Sequence, residues 1–372
     1  MDNCDALIIG GGPAGSTCAK RLVRGGLDVV VMDKAEFPRD KVCAGWITPA
    51  VVDLLDLDTA AYGEHNVLQP IRAFRTGLIA GGQLETRYDA VVSYGIRRCE
   101  FDNHLLRRSG ARLRLGEAVD TLERRSGGWI VNNQVSAPLL IGAGGHFCPV
   151  ARMLGARLGA DEPAVAAKEI EFEMSALQAA QCTVNGDTPE LFFTPDLKGY
   201  GWCFRKGRYL NIGLGREDSH HLNEHLRSFC EFLAGLGRIP ADIPRKFQGH
   251  AYVLYGHAPR RLIAEDVLLI GDAAGLAYAE SGEGIRPAIE SALMAAGTVL
   301  GARGDYRARQ LDPYVRDLQA RFGPPLAEGS GVPASVRNML AAMLLRSRWF
   351  SRHVVLDRWF LRSAQAALQR PQ

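Results

Sequence analysis

Glycines at 10, 12 and 15 follow the apolar run Ala6–Ile9 and open a helical stretch, Pro13–Arg24, in the spacing GxGxxG. Each glycine has a separate task in such a turn. Gly10 permits the tight bend, Gly12 lets backbone approach a pyrophosphate, and Gly15 lets helix and strand pack closely. The N–H groups at the helix start then face an anion with the positive end of the helix dipole behind them. Asp33 closes the next apolar run eighteen residues beyond Gly15, where an acid can bond a ribose hydroxyl. This is the chemistry of dinucleotide binding. The competing reading is an ordinary tight turn between a strand and a helix.

A second glycine-bearing turn lies far downstream, in "LLIGDAAGLAYAESGEGIRPAIESAL" from Leu268 to Leu293. Its buried-type strand ends at Gly271-Asp272, and Gly282 and Gly284 precede a helix through Pro287 and Ile289. A second strand end with an aspartate suits a ligand longer than NAD, such as FAD with its ribityl chain. The N–H groups near Gly284 and Ile285 can meet the flavin N1/C2=O edge, where negative charge appears on reduction. A plain strand–turn–helix with a capping Asp is the alternative. Two further segments join the set. "YGIRRCEFDNHLL" offers Arg98 ahead of an amphipathic helix, and "APLLIGAGGHFCPVARMLG" a third strand ending in Gly144-Gly145, with Arg152 beyond. Either arginine reads equally as a solvated helix charge.

Composition narrows the classes. The chain has 372 residues, enough for two or three domains, and its 47% apolar content is that of a globular protein. A net charge of +3 gives no sign of a nucleic-acid partner. Eight scattered cysteines show no CxxC pair, which speaks against structural zinc or a disulfide scaffold and for a reducing cytoplasm. The start, "MDNCDALIIGGG", is acidic where a secretion signal is basic, and no apolar run reaches the roughly 18 residues of a membrane span. His220, His221 and His225 sit on a polar stretch and read as surface residues, so no metal site is expected.

The middle of the chain changes character. "AAKEIEFEM", "ELFFTP", "GYGWCFRKG" and "RYLNIGLG" alternate as strands do and are rich in aromatic and β-branched residues. Tyr200, Trp202 and Phe204 share one face, either as the wall of an apolar pocket or as sheet core. From residue 331 onward seven arginines stand against one acid, Asp357, among recurring apolar groups. This predicts a basic amphipathic helical tail that caps the sheet or rests on an anionic membrane.

The motifs "GGGPAG", "RCEFD", "GAGGHFCPVAR" and "GDAAG…SGEGI" resemble, in order, those of flavin-dependent enzymes with the para-hydroxybenzoate hydroxylase fold. "DKAEFPRDKVCAGWITPAVVDLL" and the Tyr200-x-Trp202-x-Phe204 pattern are similar to the geranylgeranyl reductase branch. The resemblance, over about residues 1 to 300, implies an α/β protein: a Rossmann-like FAD-binding domain of glutathione-reductase-2 type, an inserted antiparallel β-sheet substrate domain and a C-terminal helical tail. The implied boundaries are 1–75, 90–165 and 251–330 for the cofactor domain, 76–89 and 166–250 for the sheet domain, and 331–372 for the tail.

Carried over to these positions, Gly10, Gly12, Pro13, Ala14, Gly15, Asp33 and Lys34 would hold the ADP half of FAD. Arg98, Gly144, Gly271 and Asp272 would meet the middle of the cofactor, and Gly282, Gly284 and Ile285 its ring. Cys43, Tyr200 and Trp202 would face the reaction, although Cys43 also reads as a small buried apolar residue. Departures from the pattern are Arg205 in place of a proline, Leu197 where a proline often stands, Gly144 in place of an aspartate, and Ala279-Glu280 where a proline precedes the flavin loop. They touch the substrate more than the cofactor.

Two activities follow from the resemblance. One is reduction of carbon–carbon double bonds in an isoprenoid or other apolar substrate. The other is NAD(P)H-dependent hydroxylation of a small or aromatic one. A flavin-binding module with little turnover is a third reading. With no second Rossmann motif, NAD(P)H or another donor would visit transiently. The expected place is the cytoplasm, with peripheral membrane contact through the tail as an addition.

Overall fold

A computed structural model describes residues 1–159, 162–218, 221–258, 260–323 and 343–368. His220 and the tail positions 331–342 and 369–372 lie outside the described residues.

The first glycine turn belongs to a six-stranded sheet. Its order is Ile263–Ala264, Val267–Leu269, Leu139–Gly142, Ala6–Ile9, Val29–Asp33, Arg112–Leu115. All pairs are parallel except the outermost, Ile263–Ala264 with Val267–Leu269. Strands covered on both faces have no side to show water, so Ala6–Ile9 and Leu139–Gly142 read as unbroken apolar runs and are buried throughout. The strand after the first helix, expected from the apolar run over residues 28–32, spans Val29–Asp33. Helix Pro13–Arg24 packs against helix Ile285–Ala302, whose small residues Ala288, Ala292, Ala295 and Ala296 are buried. Two turns 260 residues apart in the chain are thereby brought to one end of one sheet.

The middle of the chain forms a seven-stranded sheet in the order Gln248–Tyr252, Val165–Glu173, Tyr209–Arg216, Gly199–Lys206, Glu190–Phe193, Ala73–Leu78, Gln83–Arg87. Pairing is antiparallel apart from Glu190–Phe193 with Ala73–Leu78. Period-two alternation gives it two different faces. On one, Ile170, Phe192, Leu210, Ile212 and Leu214 meet Leu226, Phe229 and Leu233 of helix Leu222–Gly235. On the other, Trp202, Phe204, Leu191 and Phe193 meet Trp46 and the inner residues Leu345, Val355, Leu356 and Phe360 of the C-terminal segment. That segment is helical over Arg348–Phe350 and then winds more widely, as a π-helix, over Ser351–Phe360. Small three- and four-stranded sheets complete the chain.

Candidate functional site

The glycines of the first turn divide by what surrounds them. Gly10 has φ +115°, and a Cβ there would sit 2.4 Å from the Ala143 carbonyl oxygen. A Cβ on Gly15 would sit 1.9 Å from the Gly10 carbonyl oxygen. Both are demanded by the chain's own packing. Gly12 is different: its nearest neighbour is the Arg39 Nη2, at 3.5 Å, so room is left in front of the helix start. The helix has no side-chain cap, and Pro13 at its first position removes an N–H that would otherwise go unpaired. Asp33 braces this turn, accepting from Gly11 N at 2.7 Å and Ala35 N at 2.9 Å.

In front of the turn lies a cavity of about 500 Å³ that runs between the two sheets. Gly10, Gly12, Pro13, Ala14, Asp33 and Lys34 line one end. Arg98, Gly144 and Asp272 also line it, as do Gly282, Gly284 and Ile285 at the start of the long helix. Cys43, Tyr200 and Trp202 face it from the side of the seven-stranded sheet. Gly15 and Gly271 stand behind the wall. Gly271, with φ +62°, presses strand end against helix, since a Cβ there would meet that of Ala14 at 2.9 Å. Phe204 lies on the expected face but packs on Trp46 with ring centroids 5.3 Å apart, as core. Arg152 is on the short helix Pro149–Met153 and does not line the cavity. His221 is exposed, 3.2 Å from Glu224.

Arg98 is buried and held from behind. Asp102, fully buried one helical turn on, takes its guanidinium in two bonds of 2.8 Å. Arg39 reaches the same carboxylate at 3.3 Å. A bidentate pair fixes the plane of the guanidinium, which lines the cavity. On the opposite wall the Tyr200 hydroxyl donates to the Ser281 carbonyl at 2.5 Å, tying the roof to the glycine loop. Gly45 N donates weakly to the Cys43 Sγ at 3.4 Å.

Lys41, His250 and Glu283 also line the cavity; Lys41 and Glu283 lie inside quoted motif segments, whereas His250 carries no motif. Lys41 Nζ lies 2.6 Å from His250 Nε2. Burial draws the Lys41 ammonium down to about 8, against the pull of Asp272 and helped by the charges of Arg98 and Arg39. Burial and the Lys41 charge hold His250 down to about 2, so it is neutral. Glu283 sits between Gly282 and Gly284, accepts from Arg286 N at 2.6 Å, and is pushed up to about 7 by burial. Lys41 lies inside the quoted "DKAEFPRDKVCAGWITPAVVDLL" segment and was within reach of a closer reading. His250, on an edge strand 209 residues away, gave no signal.

The glycine-lined end, the uncapped helix start and the braced arginine fit a pyrophosphate-containing dinucleotide. The far end is walled by aromatic rings. It fits a flat or apolar group.

Comparison with known proteins finds the following likenesses. The profile of the NAD(P)-binding Rossmann-like domain matches residues 8–65. Menaquinone reductase of Mycobacterium tuberculosis is 30% identical over 376 residues, covering 94% of this chain and 86% of the relative. Digeranylgeranylglycerophospholipid reductase 1 of Methanothermobacter thermautotrophicus is 26% identical over 345 residues, covering 87% and 84%. Among solved structures, a geranylgeranyl bacteriochlorophyll reductase-like protein of Thermoplasma acidophilum superposes with TM-score 0.74 at 22% identity, covering 93% of this chain and 88% of that one. The halogenase PltM, solved with FAD, superposes with TM-score 0.68 at 17% identity, covering 92% and 76%.

Proposed function

Because the chain belongs to the geranylgeranyl reductase branch of the FAD-dependent oxidoreductases, we propose that it reduces carbon–carbon double bonds of an isoprenoid or similar apolar molecule. One observation carries the reading: a single cavity joins an uncapped, glycine-opened helix start to an aromatic wall. Gly10, Gly12, Pro13, Ala14, Asp33 and Lys34 would hold the ADP half of FAD, with Gly15 packing the turn. Arg98, Gly144 and Asp272 would hold the middle, with Gly271 shaping the strand end, and Gly282, Gly284 and Ile285 the ring. Bound FAD supplies hydride transfer, with NAD(P)H or another reductant as donor. The protein's own residues orient, exclude water and handle the proton. Tyr200 and Trp202 wall the apolar substrate. Cys43 presents its Sγ to the same space as the carrier of the proton that saturation needs. The expected boundaries at 75/76, 165/166 and 250/251 would cut strands Ala73–Leu78, Val165–Glu173 and Gln248–Tyr252 of the one sheet, so the substrate domain would span 73–89 and 165–252, and 1–72, 90–164 and 253–323 the cofactor domain.

The C-terminal segment favours a lipid substrate. Its inner face roofs the aromatic wall, with the rings of Phe360 and Tyr200 5.3 Å apart. Its outer side exposes Met343, Leu344 and Trp349 among Arg346, Arg348, Arg352 and Arg358. Apolar groups set among arginines suit an anionic bilayer surface. No helix among the described residues is long and apolar enough to cross a membrane.

The test is anaerobic turnover of the FAD-loaded protein, with reductant, on isoprenoid quinones and geranylgeranyl lipids. Products that gain hydrogen without oxygen support the proposal. Products that form only in air and gain an oxygen atom would sink it.

A further inference from the structure

The strand Tyr209–Arg216 alternates two kinds of residue. Leu210, Ile212 and Leu214 enter the apolar core, whereas Asn211, Gly213 and Gly215 face the cavity side. Asn211 is buried, and its amide is used at both ends. Its Oδ1 accepts from the Trp202 indole Nε1 at 2.7 Å. Its Nδ2 donates to the Cys43 carbonyl at 3.2 Å and faces Glu169 and Glu171 at 3.3 Å each. The Cys43 amide in turn faces the Glu169 carboxyl. Gly213 completes the seat, because a Cβ there would lie 2.2 Å from the Trp202 ring. Lys206 closes the group, donating to Glu171 at 2.8 Å and to the Ile96 carbonyl at 2.8 Å. Asn211, Gly213, Glu169, Glu171 and Lys206 stand behind Cys43 and Trp202, which line the cavity.

We propose that Asn211 is a positioning residue that locks the Trp202 indole and the Cys43 peptide into one geometry, with Gly213 leaving the space in which the ring lies. The aromatic wall and the thiol belong to segments 159 residues apart in the chain, and one side chain bonds both. A buried amide with every bond made resists displacement, because breaking either side leaves a polar atom unpaired. The inference rests on the assignment of Cys43 and Trp202 to the reaction space, but its test needs no substrate.

The experiment is the alkylation rate of Cys43 by iodoacetamide in FAD-loaded protein, read by peptide mass spectrometry well below the melting temperature. Asn211→Leu should retain FAD and raise the Cys43 rate about tenfold, as expected for a lost buried bond. Trp202→Phe keeps the ring but removes the indole N–H, and should raise the Cys43 rate about threefold through the freed amide. Cys43 rates equal to wild type in both variants would overturn the proposal. If Asn211→Leu fails to fold, Asn211→Ser takes its place, since it too breaks the bond while leaving the cavity-lining Trp202 and Cys43 side chains unchanged. A wild-type protein inactive on every isoprenoid would remove the proposed function and leave this coupling standing.

Discussion

The two faces of the seven-stranded sheet are built from the same strands and solve different problems. Under helix Leu222–Gly235 the middle of the sheet is aliphatic and dry, and Phe229 fits against Gly201 so closely that a Cβ there would lie 2.6 Å from its ring. Glu190 enters that face only at its margin, paired with Arg75 at 2.6 Å. The cavity-side face buries Glu169, Asn211 and Lys206 among aromatic rings. Burying such groups costs stability unless each is bonded. The dry face is what a sheet needs to fold. The polar face is what a sheet carries when its side chains have to be held in place for something else.

Four substitutions test that contrast. Asp272→Ala is expected to have the largest effect, loss of bound FAD from a protein that still unfolds cooperatively, read as visible absorbance against protein. Retention of stoichiometric yellow cofactor would remove Asp272 from the site. On the dry face, Phe229→Ala should cost about 3–5 kcal/mol in denaturant unfolding, with FAD affinity of the folded fraction unchanged. On the polar face, Trp202→Ala should keep FAD while lowering kcat/KM about tenfold or redirecting substrate choice. An unchanged specificity profile would return the indole to the status of core. Trp349→Ser, on the outer side of the tail, should shift stability by no more than about 0.5 kcal/mol. It should also weaken co-sedimentation with anionic vesicles, whereas equal binding would detach the tail from any membrane role.

A pH series separates the faces further. Burial pushes the Glu169 carboxyl up to about 8, so the folded protein binds a proton there that the unfolded chain has released. With more protons on the native state, this group makes stability fall as pH rises from its ordinary range toward 8. Glu169→Gln should flatten that decline, with Glu171, Lys206 and Arg97 common to both proteins. Equal slopes in urea melts from pH 5 to pH 8 would show that Glu169 titrates normally.

Local chemistry made much of the architecture legible. Glycine is the residue that tolerates the contacts at 10 and 15, and Pro13 starts a helix without forfeiting a bond, so turn and helix are written within a dozen residues. Alternation around Trp202 announced strands and a shared face. The same alternation could not say that Phe204 is core while Trp202 is wall, because that depends on Trp46 arriving from a distant segment.

The amino-acid order alone therefore marked the two glycine turns with their flanking strands, the alternating strands around Trp202 and the chemistry those turns suit, since these rest on backbone sterics and side-chain periods acting over a few residues. The fold settled which distant polar groups meet: Lys41 with His250, Asn211 with the Cys43 carbonyl, and Arg39 with Asp102. Such pairs are selected by burial, which forces each polar atom to find whatever partner the packing of remote segments brings within reach. No spacing in the chain records that choice.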